Sequence, residues 1–201
     1  MKPATIGFQM IKGEGKEDVI NAVHKSMELA NWKKHVTGEK VFLKPNYLSK
    51  RLVPGQCTSP WVLEAVVQKL QEEQFKLIMG DTDVATIRQL KEATRLWGCQ
   101  DLCKKYNIPF INLSRSKKVK VNLDGDVFKE LYLPEILLKV DSIVTLPVLK
   151  THNVTKMTGA LKNQWGCLPR VRHQYHLKAH DCIPDINKFL KVKFAVMLPI
   201  P

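Results

Sequence analysis

Apolar and polar residues along this chain follow two patterns, one typical of helices and the other of short strands. Between residues 18 and 32, apolar side chains recur at the three- and four-residue spacing of a helix, and residues 40–44, apolar at 41–43, follow as a short strand. The same order returns with a helix through residue 70 and a strand at 75–79. Ser59 followed by Pro60 marks the start of this second helix, because both residues favour the first positions of a helix.

The alternation continues to the end of the chain and includes one different motif. Asp124-Gly125-Asp126 separates two runs, 119–123 and 127–133, and Asp-Gly in that position is typical of a β-hairpin. The other predicted segments are helices at 86–97, 99–106, 158–165 and 184–190, strands at 108–113, 143–149 and 192–197, and a basic loop or helix at 168–180.

Strands that alternate with helices favour a three-layer α/β fold with a mostly parallel sheet, helices on both faces and a small inserted β-hairpin. We expect a single domain over residues 1–201. The last predicted strand, 192–197, has no helix after it, which would leave part of the sheet uncovered. We therefore expect this domain to be incomplete at its C-terminus.

The positive charge of the chain indicates a negatively charged partner. A formal net charge of +13 is compatible with nucleic acid, an anionic membrane surface or a small polyanion as partner. Between residues 142 and 180 there is no Asp or Glu, and partly buried cations without carboxylates repel one another. This segment therefore predicts a bound anion. Its basic residues are Lys150, His152, Lys156, Lys162, Arg170, Arg172, His173, His176, Lys178 and His180.

The cysteines and the apolar segments indicate the compartment. The five cysteines are odd in number and form no Cys-x-x-Cys pair, so they predict no disulfide framework. The sequence shows neither a secretory leader nor an apolar run near the ~20 residues that span a bilayer. These features favour a cytoplasmic protein with reduced thiols and no membrane insertion.

Polar residues cluster directly after three of the predicted strands. Because the carboxyl ends of parallel strands meet at one edge of a sheet, where ligands of α/β proteins bind, we expect these clusters to converge. Each residue alone would be an ordinary strand-terminating polar residue. Together they suggest cationic donors at Lys44 and Lys150, neutral donors at Asn46 and Thr151, a base or metal ligand at Asp81 or Asp83, and a proton-transfer group at His152.

The segment after the third cluster predicts the start of a helix. Free N–H groups and the positive end of the helix dipole would let Thr155, Thr158 and Gly159 hold a phosphate or carboxylate. Lys162 and Asn163 would add donors from the next turn. The residue order of a P-loop is absent, and so is Gly-x-Gly-x-x-Gly, so the sequence does not support a standard ATP or NAD site.

Two groups of residues have spacings that metal ligands also use. His173, His176 and His180 would share one helix face, but the basic residues around them would repel a cation, so we favour anion contact or proton transfer. Cys99 and Cys103 would also share a helix face, as metal ligands or, more simply, as small core residues. We therefore assign no metal site.

In combination these motifs resemble a known family. The run Phe42-Leu43-Lys44-Pro45-Asn46, then Gly80-Asp81 and Leu149-Lys150-Thr151-His152, is followed in order by Thr158-Gly159, Leu161-Lys162-Asn163, Gly166, Pro169, Arg172 and His176. This order is similar to the prokaryotic family named as domain of unknown function 362, and it covers nearly the whole chain. Similar proteins are often joined to ferredoxin-type iron–sulfur modules, so the resemblance implies a redox partner of that kind. They usually continue past the last strand, which implies that this chain is C-terminally short.

These observations lead to three hypotheses for function. The leading one is an enzyme domain that binds a small phosphate- or carboxylate-bearing molecule, with its cofactor undetermined. A nucleic-acid-binding protein is the alternative, supported by charge, Trp165, Tyr175 and the Arg170/Arg172 pair. A redox or metal protein is the third. For the leading hypothesis the predicted catalytic residues are His152, His176 and Asp81, and the predicted substrate-binding residues are Lys44, Asn46, Lys150, Thr151, Thr158, Lys162, Asn163 and Arg172.

Overall fold

The structure is a computed structural model that describes residues 4–83, 89–152 and 154–199, without the side chains of residues 170, 171 and 199. Its helices are α1 (Lys16–Leu29), α2 (Trp32–His35), α3 (Pro60–Glu72), α4 (Leu90–Leu96), α5 (Cys99–Lys105), α6 (Ala160–Asn163) and α7 (Ala179–Phe189). Its strands are β1 (Lys40–Lys44), β2 (Lys76–Asp81), β3 (Phe110–Asn112), β4 (Lys118–Asn122), β5 (Glu130–Pro134), β6 (Ser142–Thr145), β7 (Val148–His152), β8 (Lys156–Thr158), β9 (Val192–Ala195) and β10 (Leu198–Pro199). Short 3₁₀ helices cover Glu135–Leu138, Gln164–Cys167 and Arg170–Lys178.

The centre of the fold is a five-stranded sheet in the order β3-β2-β1-β6-β9, and every neighbouring pair in it is parallel. Parallel strands are covered on both faces, and the side chains of β1 show this directly. Val41 and Leu43 belong to one apolar cluster, whereas Phe42 belongs to a second cluster together with Ile143 of β6. Alternate side chains of one strand therefore enter two cores.

Helices pack on both faces of this sheet, which confirms the predicted three-layer α/β fold. One core includes residues of α1, α3 and α5. The other includes residues of α7, the 3₁₀ helix Glu135–Leu138 and the segment that carries β4 and β5. Strands β4 and β5 pair antiparallel, so the hairpin around Asp124-Gly125-Asp126 is also confirmed.

The prediction of one strand over residues 143–149 was wrong. The chain leaves the large sheet after Thr145, and β7 begins at Val148 in a separate three-stranded sheet of order β10-β7-β8. Pro147 lies between the two strands and has no N–H to donate, so it cannot continue a hydrogen-bonded ladder. Lys150, Thr151 and His152 thus lie within β7, paired antiparallel with β8, and not at the end of a parallel strand.

Other boundaries differ by a few residues. The helix α3 begins at Pro60, as Ser59-Pro60 predicts. The helix α7 begins at Ala179 and contains Pro184, which the sequence placed at its start. Of the helix predicted over 86–97, the part before residue 89 falls outside the described residues, and α4 covers Leu90–Leu96. In the part of the chain that the structure describes, no helix has the length and apolarity needed to cross a membrane.

Candidate functional site

A cavity of about 560 Å³ opens at the carboxyl ends of β1 and β2, beside the small sheet that contains β7. Its walls come from the large sheet, the small sheet, the segment around α6 and the 3₁₀ helix Arg170–Lys178. The residues predicted as catalytic or substrate-binding line this one cavity, although they come from distant parts of the sequence: Lys44, Asn46, Asp81, Lys150, Thr151, His152, Thr158, Lys162, Asn163, Arg172 and His176. Asp83 and Thr155, which the sequence also suggested, are not part of the lining. The Asp83 carboxylate accepts hydrogen bonds from Asn112 Nδ2 and Leu90 N, and Thr155 Oγ1 donates to Met157 O at 3.0 Å.

At the end of the large sheet, Lys44 and Asp81 form an ion pair. The Nζ atom of Lys44 lies 2.7 Å from Oδ1 of Asp81, and the two residues are only 1% and 4% exposed. Lys44 also donates to the Pro45 carbonyl, at 2.7 Å. Asp81 accepts two further bonds, from Tyr47 N at 2.9 Å and Thr82 N at 2.8 Å. Both charges are therefore compensated inside the protein, as buried charges require.

Gly166 packs directly against this ion pair. A Cβ atom at this position would lie 3.0 Å from Nζ of Lys44 and 3.2 Å from Oδ1 of Asp81. These distances are shorter than ordinary van der Waals contacts, so a side chain at residue 166 would require the pair to shift by a few tenths of an ångström. This close approach gives a physical reason for the glycine at residue 166.

The neutral polar residues of the lining hold backbone segments together. Asn163 donates through Nδ2 to Lys44 O at 3.0 Å and to Thr145 Oγ1 at 2.8 Å, which fastens α6 to the ends of β1 and β6. Asn46 donates through Nδ2 to Gln56 O at 3.3 Å, and Thr158 donates through Oγ1 to Val148 O at 2.9 Å. Thr151 is exposed at the rim.

Four basic residues form a second part of the lining, which we call the cationic wall: Lys150, His152, Lys162 and His176. Lys150 donates to the Gln56 carbonyl, and burial lowers its pKa. Burial, and then the charge of Lys150, lower the pKa of Lys162 to about 8. Within the described residues, the Lys162 ammonium has neither a hydrogen-bond partner nor an ion-pair partner.

The two histidines of the cationic wall stack on each other, with ring centroids 6.2 Å apart. Nδ1 of His152 accepts a hydrogen bond from the Val154 N–H at 3.0 Å, so in the neutral ring the proton belongs on Nε2. Burial lowers the pKa of both histidines, and the charge of Lys162 lowers it further. Both rings are therefore favoured in the neutral form that can accept a proton.

Trp165 was predicted only as a nucleic-acid contact, yet it lines the cavity and is 6% exposed. Its ring lies 6.2 Å from that of His176. Among the residues that the structure describes, its buried Nε1–H has no hydrogen-bond acceptor. Its place three residues after Lys162 is the sequence signal that could have included it, because residues at that spacing lie on the same side of a helical segment.

Arg172, predicted to bind the ligand, is buried and directs part of its guanidinium to the backbone. Nη1 donates to Leu168 O at 2.6 Å, and Nη2 donates to Asp83 O at 3.2 Å. These bonds place the positive charge of Arg172 beside the ends of β2 and the 3₁₀ helix that contains it. Its charge is one of the causes that lower the pKa of His176.

The histidines and cysteines whose spacing resembles that of metal ligands do not form a metal site among the described residues. The rings of His173 and His176 lie 5.6 Å apart, but Nε2 of exposed His180 lies 3.3 Å from the Val154 carbonyl. Cys99 and Cys103 are core residues whose sulfur atoms contact the sulfur of Met79. Over residues 4–83, 89–152 and 154–199, no group of three or more His, Cys, Asp or Glu side chains is suited to hold a metal ion.

The fold and the cavity define an α/β domain with a cavity at the carboxyl edge of a parallel sheet, lined in part by basic side chains. Residues 41–200 match the family described as domain of unknown function (DUF362), and the chain belongs to this family. A thylakoid-associated protein of Synechocystis sp. is 32% identical to it over 155 residues, which cover 76% of this chain and 46% of that protein.

A solved structure of similar fold is the crystal structure of a protein from Thermotoga maritima. It superposes with a TM-score of 0.59 at 12% sequence identity, over 96% of this chain and 52% of that one. This likeness concerns the fold alone. The chain thus spans about half the length of both proteins, at 46% and 52%.

Proposed function

We propose that this domain binds a small anion carrying phosphate or carboxylate groups in the cavity at the carboxyl edge of the sheet, and that it acts on that molecule as an enzyme. The observation that carries the proposal is Lys162, a half-buried cation in the cavity without a partner among the described residues. The carboxylate in the described lining, Asp81, is already paired with Lys44. A negative ligand would supply the missing counter-charge.

The neutral donors of the cavity support the same kind of ligand. A buried donor without an acceptor costs roughly 1–3 kcal/mol, so the Trp165 Nε1–H is expected to meet an acceptor when the site is filled. An oxygen-rich anion offers acceptors and negative charge together. The volume of about 560 Å³ is suited to a small molecule.

The histidine pair is the proposed proton-transfer element. His152 and His176 stack in the cavity, and their lowered pKa values favour neutral rings near pH 7. A neutral imidazole can take a proton from a bound molecule and return it, which is the role that the sequence predicted for both. Asp81, predicted with them, would instead hold Lys44 in place through the ion pair.

A nucleic-acid-binding protein has less support. Base stacking requires accessible aromatic rings, but Trp165 is buried and Tyr175 packs edge-on against Phe128 with ring centroids 5.0 Å apart. Arg172 is buried as well. The net charge of +13 still favours encounters with RNA, so the test includes it.

The test is a thermal-shift titration with inorganic phosphate, pyrophosphate, citrate and a short RNA at low and high salt. An anion at about 100 times its Kd stabilises the folded state by about 2.7 kcal/mol, and each kcal/mol raises Tm by roughly 2–4 °C in a domain of this size. We expect this shift with a small anion in the native protein and its loss in Lys162→Met. The variant Lys178→Met removes an equal charge from an exposed position outside the cavity and should keep it. Stabilisation by RNA alone, lost at high salt, would contradict the proposal.

A further inference from the structure

The three lysines that line the cavity differ in how their amino groups are engaged. Lys44 is held by Asp81 and by the Pro45 carbonyl. Lys150 donates to the Gln56 carbonyl. Lys162, on α6, is the lysine of the described lining that no hydrogen bond or ion pair fixes. Its amino group is therefore the one that can turn towards a bound molecule.

The surroundings of Lys162 also favour its neutral, nucleophilic form. Burial and the charge of Lys150 lower its pKa from 10.5 to about 8. At pH 7 this lowers the protonated fraction enough that the free amine is roughly 300-fold more abundant than in an ordinary lysine. A desolvated lysine beside a second cation is a known arrangement for covalent catalysis.

We propose that Lys162 is a nucleophile that forms an imine with the aldehyde or ketone carbon of an anionic oxo compound bound in the cavity. This inference rests on the proposed function and names the substrate class of that same site. The anionic group of the ligand would contact Lys150, the Trp165 Nε1–H and, while it is protonated, Lys162. The adjacent carbonyl carbon would face the Lys162 amine when it loses its proton. The shared chemistry is a carbonyl group close to a carboxylate or a phosphate.

The reaction balances without an oxidant or reductant. The lone pair of Lys162 Nζ adds to the carbonyl carbon, a C–N bond forms, and the electrons of the C=O π bond move onto oxygen. One proton passes from the nitrogen to this oxygen and gives a carbinolamine. The hydroxyl is then protonated, the C–O bond breaks as water departs, and the nitrogen gives up its second proton to leave neutral C=N, so both amine protons end on the water. The histidine pair, His152 and His176, would take the proton from nitrogen and deliver one to the leaving hydroxyl.

Reductive trapping tests this inference. The native protein is incubated near pH 7.5 with sodium cyanoborohydride and one of three probes: glyoxylate, pyridoxal 5′-phosphate, or the uncharged propionaldehyde. Peptide mass spectrometry then compares labelling at each lysine. With an anionic probe we expect Lys162 to be labelled at least about tenfold faster than exposed Lys178. When the pH is varied, the labelling rate of Lys162 should reach half of its maximum near pH 8, because the pKa of its amine is about 8. Labelling of Lys162 at no more than the rate of Lys178 would overturn the inference.

Two controls separate this inference from the proposed function. Lys162→Arg keeps the positive charge but cannot form an imine, so it should abolish the fast label while the thermal shift with phosphate or citrate persists at least in part. If the native protein binds phosphate or citrate and Lys162 is not labelled, the imine is excluded and the anion site stands. If glyoxylate and propionaldehyde label Lys162 equally fast, both faster than Lys178, and no anion stabilises the protein, Lys162 is a reactive amine but the anion site and the anionic substrate class are excluded. Failure of both measurements contradicts both proposals.

Discussion

The cavity contains two groups of basic residues that differ in whether the protein supplies a carboxylate partner. At the end of the large sheet, Lys44 is buried and paired with Asp81 at 2.7 Å. On the cationic wall, Lys162 is half-buried and has no such partner among the described residues. The same residue type thus serves the stability of the fold in one place and, we propose, ligand chemistry in the other. What separates the two is whether the protein supplies the counter-charge itself.

The strongest way to test this contrast is to remove the paired lysine. Lys44→Met would leave the Asp81 carboxylate buried without its cation, and breaking a buried pair from one side typically destabilises by about 3–5 kcal/mol. We expect a loss of that size in the free energy of unfolding, measured by urea denaturation. The double variant Lys44→Met/Asp81→Asn removes both charges and should recover part of the loss. A loss below about 1 kcal/mol in Lys44→Met would show that the pair does not hold the site.

A smaller loss of stability is expected when a methyl group is placed against the Lys44–Asp81 pair. Gly166→Ala would place a methyl group 3.0 Å from Nζ of Lys44, and overpacking of this kind typically costs about 1–3 kcal/mol. Gly159→Ala is the matched control, because its Cβ would lie 3.9 Å from the Met197 sulfur, an ordinary contact. Thermal unfolding of the two variants measures the difference. Equal stability of the two would contradict the close packing at residue 166.

The smallest effect on stability is expected on the cationic wall. Because the fold lowers the Lys162 pKa from 10.5 to about 8, the unfolded chain binds more protons between those values. The Lys162 contribution to stability is therefore unfavourable below pH 8 and disappears as the pH rises to about 10.5. Lys162→Met lacks this term, so at neutral pH it should be as stable as the native protein or slightly more stable. Its advantage should shrink between pH 8 and 10.5.

Urea titrations of the native protein and Lys162→Met across this pH range give the comparison. The native protein contains other lysines that titrate in the same range, and subtracting the two curves cancels their contributions. Lys178→Met, which removes an exposed lysine outside the cavity, is the matched control for the loss of one lysine. If Lys162→Met has a lower free energy of unfolding than the native protein at neutral pH, this lysine stabilises the fold and the expectation is wrong.

Much of the candidate site could be predicted because polar residues cluster near the ends of strands and the start of a helix. The residues predicted as catalytic or substrate-binding line one cavity, although their place in the sheet was partly wrong: Lys150 and His152 belong to β7 of the small sheet. The error came from an apolar run in which Pro147 separates two strands. Periodicity over a few residues cannot show whether two short strands continue one sheet or enter two.

Trp165 and Gly166 show a different limit of prediction. Both follow the Lys162-Asn163 pair in sequence, but their roles depend on what the fold brings against them. Gly166 meets the Lys44–Asp81 pair, and the Trp165 Nε1–H lies buried without an acceptor in the described structure. The spacing from Lys162 could have placed Trp165 on the same side of the segment, but the local sequence shows neither the burial of its N–H nor the packing of Gly166 against the ion pair.

The sequence by itself determined the alternation of helices and strands, the hairpin, and a basic segment that contains no Asp or Glu. These properties depend on near neighbours, through side-chain periodicity, turn residues and local charge. Only the tertiary structure decided that Asp81 neutralises Lys44 and that Lys162 is left without a partner among the described residues. Pairing of charges depends on distances between remote segments, and those distances exist only once the sheet has assembled.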